Sequence, residues 1–173
     1  MTVIRPADYS ETAAAYAFAV GHQGPTALVL TRQGLPQLAE TGSDLVKGAY
    51  ILKDSGKEVP DVILMASGSE VKLVYEAYDR LAEQGISARV VSIPSFELFN
   101  AQDEAYRESV LPKACRARVA VEAASPLGWY QYVGLDGKVI AMDTFGKCGP
   151  QEIVFKEFGF TVDHVVEAAK SVL

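Results

Sequence analysis

The stretch Val59-Pro-Asp-Val-Ile-Leu-Met-Ala-Ser-Gly-Ser-Glu70, continued through Val71 to Leu81, decides the fold. Its apolar run, Val62 to Ala66, is short and unbroken, the pattern of a strand covered on both faces. Ser67-Gly68-Ser69 turns the chain, after which Val71, Val74, Tyr78 and Leu81 recur on one helix face. Pro60 and Asp61 punctuate the start, and Gly85 stands where a helix ends in a left-handed residue. A second apolar strand, Ala88 to Ile93, follows at once. Strand, helix and strand so closely joined predict a right-handed crossover in a parallel sheet.

Working outward, Gly48 to Leu52 reads as a preceding strand, Arg118 to Glu122 as a third parallel-type strand and Lys138 to Met142 as a fourth. Between them, Phe96 to Phe99 reads as an apolar surface turn and Asp103 to Leu111 as a short helix. Ala123 to Leu127 reads as a loop, and Gly128 to Val133 as one or two helical turns. Pro150 suits the first position of a helix running to Phe158, with Gly159 just past its end. Thr161 is an N-cap for a last helix, with Phe160 and Val165 at staple spacing around it. The alternation predicts a three-layer α/β/α domain.

Upstream, Thr2 to Ile4 reads as a strand end and Arg5-Pro-Ala-Asp8 as a turn. Ser10 is the expected N-cap of a helix over Thr12 to Val20, which is apolar nearly all round and so expects burial on several sides. Thr26 to Leu30 is a buried-type strand, followed by Thr31-Arg32-Gln33-Gly34. One helix with one or two strands closes no core, so residues 1–38 need a partner surface. Residues 39–47 read as a linker.

A chain of 173 residues with 49% hydrophobic and 22% charged content is long enough to bury a core, most simply as one domain with an attached piece. Its 22 acidic against 16 basic residues, without a basic cluster, argue against nucleic acid and anionic membrane surfaces as partners. No apolar run reaches membrane-spanning length, and the N-terminus lacks the pattern of a signal peptide, so the cytoplasm is expected. Cys115 and Cys148 suggest buried or half-buried free thiols rather than a disulfide framework. His22 and His164 have no ligand partner at metal-binding spacing.

Arg32 is the sharpest candidate for chemistry. It follows an apolar strand, and a guanidinium at the carboxyl edge of a sheet can hold a phosphate through two parallel hydrogen bonds; an ordinary surface arginine is the competing reading. Ser67, Gly68 and Ser69 form a strand-to-helix turn whose N–H groups and hydroxyls suit an anion. The turn lacks the lysine of a phosphate-binding loop, and Ser67 and Glu70 also stand at capping-box spacing. Glu122 and Asp143, both at strand ends, are candidates for paired acid–base work or for plain solvated acids. Ser125 lacks the elbow of a hydrolase nucleophile. Trp129, Tyr130 and Tyr132 read as a packing or interface cluster. Residue types alone disclose no catalytic apparatus.

Arg5-Pro-Ala-Asp8 with Glu11-Thr12, Leu30-Thr-Arg-Gln-Gly-Leu-Pro-Gln-Leu38 and Pro60 to Val71 are similar to the transketolase family in sequence and order. So are Val90-Val-Ser-Ile93, Phe96 to Phe99, Glu108 to Pro112, Glu122 with Gly128-Trp129, Phe145-Gly146 ahead of Pro150, and Lys156 to Gly159 with Thr161-Val162. Gly34 stands where the family commonly has asparagine, and Lys147-Cys148-Gly149 replaces a run of small residues.

The resemblance implies that residues 1–40 are the tail of an incomplete pyrimidine-binding domain and 41–173 the whole C-terminal α/β domain. It implies a five-stranded, mostly parallel mixed sheet with the strand near Tyr50 antiparallel to the rest. It also implies a homodimeric parent enzyme that moves a two-carbon ketol unit between sugar phosphates, in the pentose phosphate pathway, using thiamine diphosphate and a divalent metal (magnesium or calcium). The arginine of the family's sugar-phosphate-binding motif corresponds to Arg32. The diphosphate, metal and catalytic histidine positions correspond to nothing in this chain, so the isolated polypeptide is expected to bind no cofactor and to be inactive. The alternatives are a regulatory anion-binding module using the Ser67–Ser69 turn, and a dimer-building module using Trp129 and its tyrosines.

Overall fold

The computed structural model describes residues 1–42 and 44–173. The chain begins with β1 (Thr2–Ile4), α1 (Tyr9–Gly21) and β2 (Thr26–Leu28), in which β1 and β2 pair in parallel as a two-stranded sheet. There follow β3 (Tyr50–Asp54), β4 (Val62–Ala66), α2 (Val71–Ala82), β5 (Ala88–Ser92), α3 (Phe96–Asn100), α4 (Glu104–Val110) and β6 (Arg118–Glu122). The last elements are α5 (Tyr130–Val133), β7 (Lys138–Ala141), α6 (Gln151–Glu157) and α7 (Val162–Ser171). The second sheet has the order β3-β5-β4-β6-β7; β3 is antiparallel to β5 and the other pairs are parallel. This is the expected five-stranded, mostly parallel mixed sheet between helical layers.

The organising strand is fully buried, and its alternation builds two cores. Val62, Leu64 and Ala66 pack with Val71, Val74 and Leu81 of α2 and with Val165 and Ala169 of α7. Ile63 and Met65 face the opposite way, toward Phe99, Trp129 and Tyr132. Successive side chains of a strand point to opposite faces, so a run of five apolar residues serves both layers. Arg89 interrupts the apolar pattern of β5 yet is buried. Its guanidinium pairs with Asp54 at 2.8 Å and donates to the Ser109 carbonyl at 2.9 Å.

Several local expectations change. Phe96 to Asn100 is a short helix rather than a surface turn, because Ser95 caps it and Phe99 is drawn into the second core. The N-cap of α1 is Asp8, whose Oδ1 accepts the Glu11 N–H at 3.0 Å, and not Ser10. Pro150 sits at the N-cap of α6 rather than its first position, a one-residue difference at a helix end. Thr161 caps α7 as expected, with Phe160 and Val165 both buried. The expected linker 39–47 contains a 3-10 turn, Leu45–Lys47, with Leu45 fully buried; Ser43 lies outside the described residues. Cys115 is buried, whereas Cys148 is exposed on the loop before α6.

The front segment departs most from expectation. Of α1 only Glu11 and Ala15 are buried, while Tyr9, Ala13, Tyr16, Ala17 and Val20 form an exposed stripe at helical spacing. β2 ends at Leu28, leaving Val29 and Leu30 nearly half exposed. Ile4, Ala15 and Leu45 make a small third core that joins this segment to the main sheet.

Gly48 closes the turn before β3 with φ +83°, and a Cβ there would overlap the Phe99 backbone nitrogen. Gly48→Ala is expected to destabilise the chain by more than about 1 kcal/mol, because both strain and overlap act. Chemical denaturation with an unchanged slope checks it; an unchanged midpoint refutes it.

Candidate functional site

Two places carry chemistry. The first is the crevice at the carboxyl ends of β4 and β6, where the connections leave in opposite directions, to β5 on one side and β7 on the other. Open α/β sheets receive ligands at such a switch point. Here the crevice receives Arg5, carried in by the turn after β1. Its Nη1 lies 2.6 Å from Glu70 Oε2 and 2.5 Å from Glu122 Oε1, and it donates to the Ser67 carbonyl at 2.8 Å. The Arg5 N–H donates to the Pro94 carbonyl, and the Arg5 carbonyl accepts from Gly68 N–H at 3.0 Å. Gly68, at φ +57°, has no room for a Cβ, which would come within 3 Å of the Arg5 side chain.

Both carboxylates are buried, Glu70 completely. Glu70 Oε2 accepts the Ala123 N–H, and Glu122 Oε2 accepts the Ser67 hydroxyl at 2.7 Å. Glu122 Oε1 pairs with Arg5 without hydrogen-bond geometry. Burial pushes the Glu122 carboxyl up to about 7; Arg5 opposes the shift and the neighbouring Glu70 adds to it. A cavity of about 400 Å³ opens beside this cluster, walled by Ile93, Pro94, Phe96 and Trp129.

A third buried carboxylate, Glu11, pairs with no cation among the described residues. It accepts the Ala7 N–H, the Tyr50 hydroxyl and the Ser92 hydroxyl, each at 2.6 Å. Burial raises its pKa against the pull of those donors.

The Ser67–Ser69 turn is therefore engaged by the protein itself. Ser67 gives its hydroxyl to Glu122, Ser69 gives its hydroxyl to Glu70, and two carboxylates face the place expected for an anion. The capping box does not form, since Ser67 makes no side-chain bond to the following turn. The same donors are not free for the diphosphate of thiamine diphosphate, which does not fit this turn. Among the described residues no group of three His, Cys, Asp or Glu side chains is arranged to hold a metal ion, and no helix is long and apolar enough to cross a membrane.

Glu122 is buried and Asp143 exposed, so the two strand-end acids occupy different environments. Trp129 and Tyr132 pack inside the second core against Phe96, leaving Tyr130 as the exposed member of the cluster. Ser125 caps the 3-10 turn Pro126–Gly128. His22 stacks on Phe18, and His164 Nδ1 lies 2.8 Å from the Gly159 carbonyl oxygen.

The second place is the segment after β2. Arg32 is exposed there, and among the described residues it makes no ion pair. The structure does not bring Arg32 together with the Ser67–Ser69 turn through any hydrogen bond. Sequence reasoning missed Arg5, Asp8, Glu11 and Glu70 as structural ions. For Arg5, Asp8 and Glu11 the signal was the crowding of charges beside apolar residues that have to be buried; for Glu70 the sequence offered only its capping-box spacing.

A three-layer α/β domain preceded by a βαβ piece, with its switch point closed from within, is the class that fold and site define. Residues 48–161 match the sequence model of the transketolase-like TK C-terminal domain. Transketolase 1 of Escherichia coli K12 is 51% identical over the whole of this chain, which corresponds to 26% of that protein. Transketolase of Pichia stipitis, solved in complex with sedoheptulose-7-phosphate, superposes with a TM-score of 0.89 at 41% identity, covering 99% of this chain and 25% of that one. A split-gene transketolase described as an inactive beta4 tetramer superposes at 0.78 with 26% identity, covering all of this chain and 58% of that one. The chain belongs to the transketolase family and spans about a quarter of the length of the full relatives it matches.

The Glu122 shift has a definite sign. Between the ordinary carboxyl value of 4.5 and about 7, the folded state holds a proton that the unfolded state has lost. The stability contributed by this group is complete below 4.5 and falls as pH rises through that window. Glu122→Gln should flatten that part of the stability–pH profile, leaving the same-signed contribution of Glu11. An unaltered slope between pH 4.5 and 7 would refute the assignment.

Proposed function

We propose that this chain is the C-terminal part of a transketolase that transfers a two-carbon ketol unit between sugar phosphates, and that Arg32 binds the substrate phosphate. The observation that carries the reading is an exposed arginine, free of ion pairs among the described residues, on the segment that leaves a parallel strand, four residues past its end at Leu28. A guanidinium so placed offers a phosphate two parallel charge-assisted hydrogen bonds. The sugar phosphate bound by the Pichia stipitis relative supports that ligand class. In the parent, thiamine diphosphate with magnesium or calcium supplies the carbanion chemistry. The residues of this chain hold neither, and their part is to bind and orient substrate.

The isolated chain is therefore inactive, a reading supported by the inactive state named for the split-gene relative. Residues 1–40 belong to a pyrimidine-binding domain whose remainder lies outside this chain, and 41–173 form the C-terminal domain. The exposed stripe Tyr9, Ala13, Tyr16, Ala17 and Val20 supports this division, since a helix apolar on all sides is made to be covered. The parent is a cytoplasmic homodimer of the pentose phosphate pathway.

In the full-length enzyme, Arg32→Ala should weaken phosphorylated donors by roughly 1.5–3 kcal/mol, the worth of hydrogen bonds to a charged group. It should leave an unphosphorylated ketose nearly unchanged. Steady-state kinetics on both donors decide; equal losses remove the phosphate role. For the division of the chain, sedimentation of the isolated polypeptide should show self-association that Tyr16→Lys with Val20→Lys abolishes. A wild-type chain that stays monomeric at high concentration counts against an uncovered domain face.

A further inference from the structure

Between Val29 and Leu38 the chain carries Arg32 across a span with two internal hydrogen bonds among the described residues, from Gln33 N–H to Thr31 Oγ1 at 3.3 Å and, at its far end, from the Gln37 side-chain amide to the Leu38 carbonyl at 2.9 Å. Both ends of the span are fixed to the same short stretch, Ile4 to Asp8. At entry, the Val29 N–H donates to the Ile4 carbonyl at 2.9 Å. At exit, the Leu38 N–H donates to Asp8 Oδ2 at 3.0 Å. The same oxygen accepts the Gln37 side-chain amide at 2.9 Å and the Thr41 hydroxyl at 2.5 Å.

Asp8 is 3% exposed, and capping α1 occupies only its other oxygen. A serine would cap the helix equally well. The second oxygen gathers three donors from the far end of the Arg32 span, which a helix cap does not require.

We propose that Asp8 is a positioning residue for Arg32. By fastening the exit of the span to the stretch that already holds its entry, it restricts the guanidinium before the phosphate arrives. The ordering is then complete before binding and is not subtracted from affinity. The inference rests on the phosphate-binding reading of Arg32 and adds the residue that makes it effective.

The test uses the full-length, cofactor-loaded enzyme carrying this sequence, with Asp8→Ser, Arg32→Ala and the double variant. Serine keeps a capping oxygen and removes the second acceptor. Asp8→Ser should raise KM for a phosphorylated ketose about tenfold, the scale of one charge-assisted hydrogen bond. It should leave kcat, and KM for an unphosphorylated ketose, where they were. The double variant should match Arg32→Ala alone, because a residue that acts through Arg32 has nothing left to position.

Thr41→Val, which removes one of the three donors, should shift KM the same way by a smaller factor, and it carries the test should Asp8→Ser fail to fold. Equal KM increases for both donors, or effects that multiply in the double variant, overturn the positioning role. If Arg32→Ala discriminates between the donors while Asp8→Ser and Thr41→Val do not, the positioning role alone falls. If Arg32→Ala does not discriminate, the phosphate reading falls and this inference with it.

Discussion

One guanidinium nitrogen lying between two buried carboxylates is the contact on which the arrangement of this chain depends. Glu70 stands at the entrance of α2 and Glu122 at the end of β6, so they approach from the two strands that flank the switch point. Neither would be tolerated there alone, since an unpaired buried charge is worth several kcal/mol of instability. Arg5 resolves both at once, and its backbone bonds to Pro94 and Gly68 fix where it enters. The arginine belongs to the front segment and the acids to the main sheet, so satisfying the ions also joins the two parts. Glu11 repeats the device with neutral donors, taking hydroxyls from Tyr50 of β3 and from Ser92 at the end of β5.

The sheet and its helices were legible in the sequence because they rest on periodicity. Val62 to Ala66, Val71 to Leu81 and Arg118 to Glu122 announce themselves by apolar spacing, and burial follows. The short α3 was not legible, because Phe96 to Phe99 has too few residues to display a helical period. What makes it a helix is the Ser95 cap together with the tertiary pocket that takes Phe99. The antiparallel setting of β3 came from family resemblance, since strand direction leaves no mark on so short a run.

The sites divide along the same line. Arg32 stood out because a cation directly after a strand is a local pattern. The Arg5 cluster escaped because its members lie 65 and 117 positions from Arg5 along the chain, at Glu70 and Glu122. Nothing in a linear reading tells an acid that caps a helix from one that neutralises a distant arginine. The Ser67–Ser69 turn shows the converse. Its residue types suit an anion, and only the three-dimensional arrangement reveals that acids already take its hydroxyls.

These connections bear on what a transketolase-like C-terminal domain contributes to the segment before it. The exit of the Arg32 span is tied to Asp8, Asp8 follows Arg5 by three residues, and Arg5 is locked into the switch point of the C-terminal sheet. A ligand in that crevice would have to displace Arg5 and strand Glu70 and Glu122. The crevice is thus better suited to receiving a structural arginine than a metabolite. A rigid parallel sheet moves little, so whatever is anchored at its carboxyl edge is held to a fixed position. In this chain, what is anchored there is the stretch that supports both ends of the segment presenting Arg32, the arginine proposed to bind the substrate phosphate.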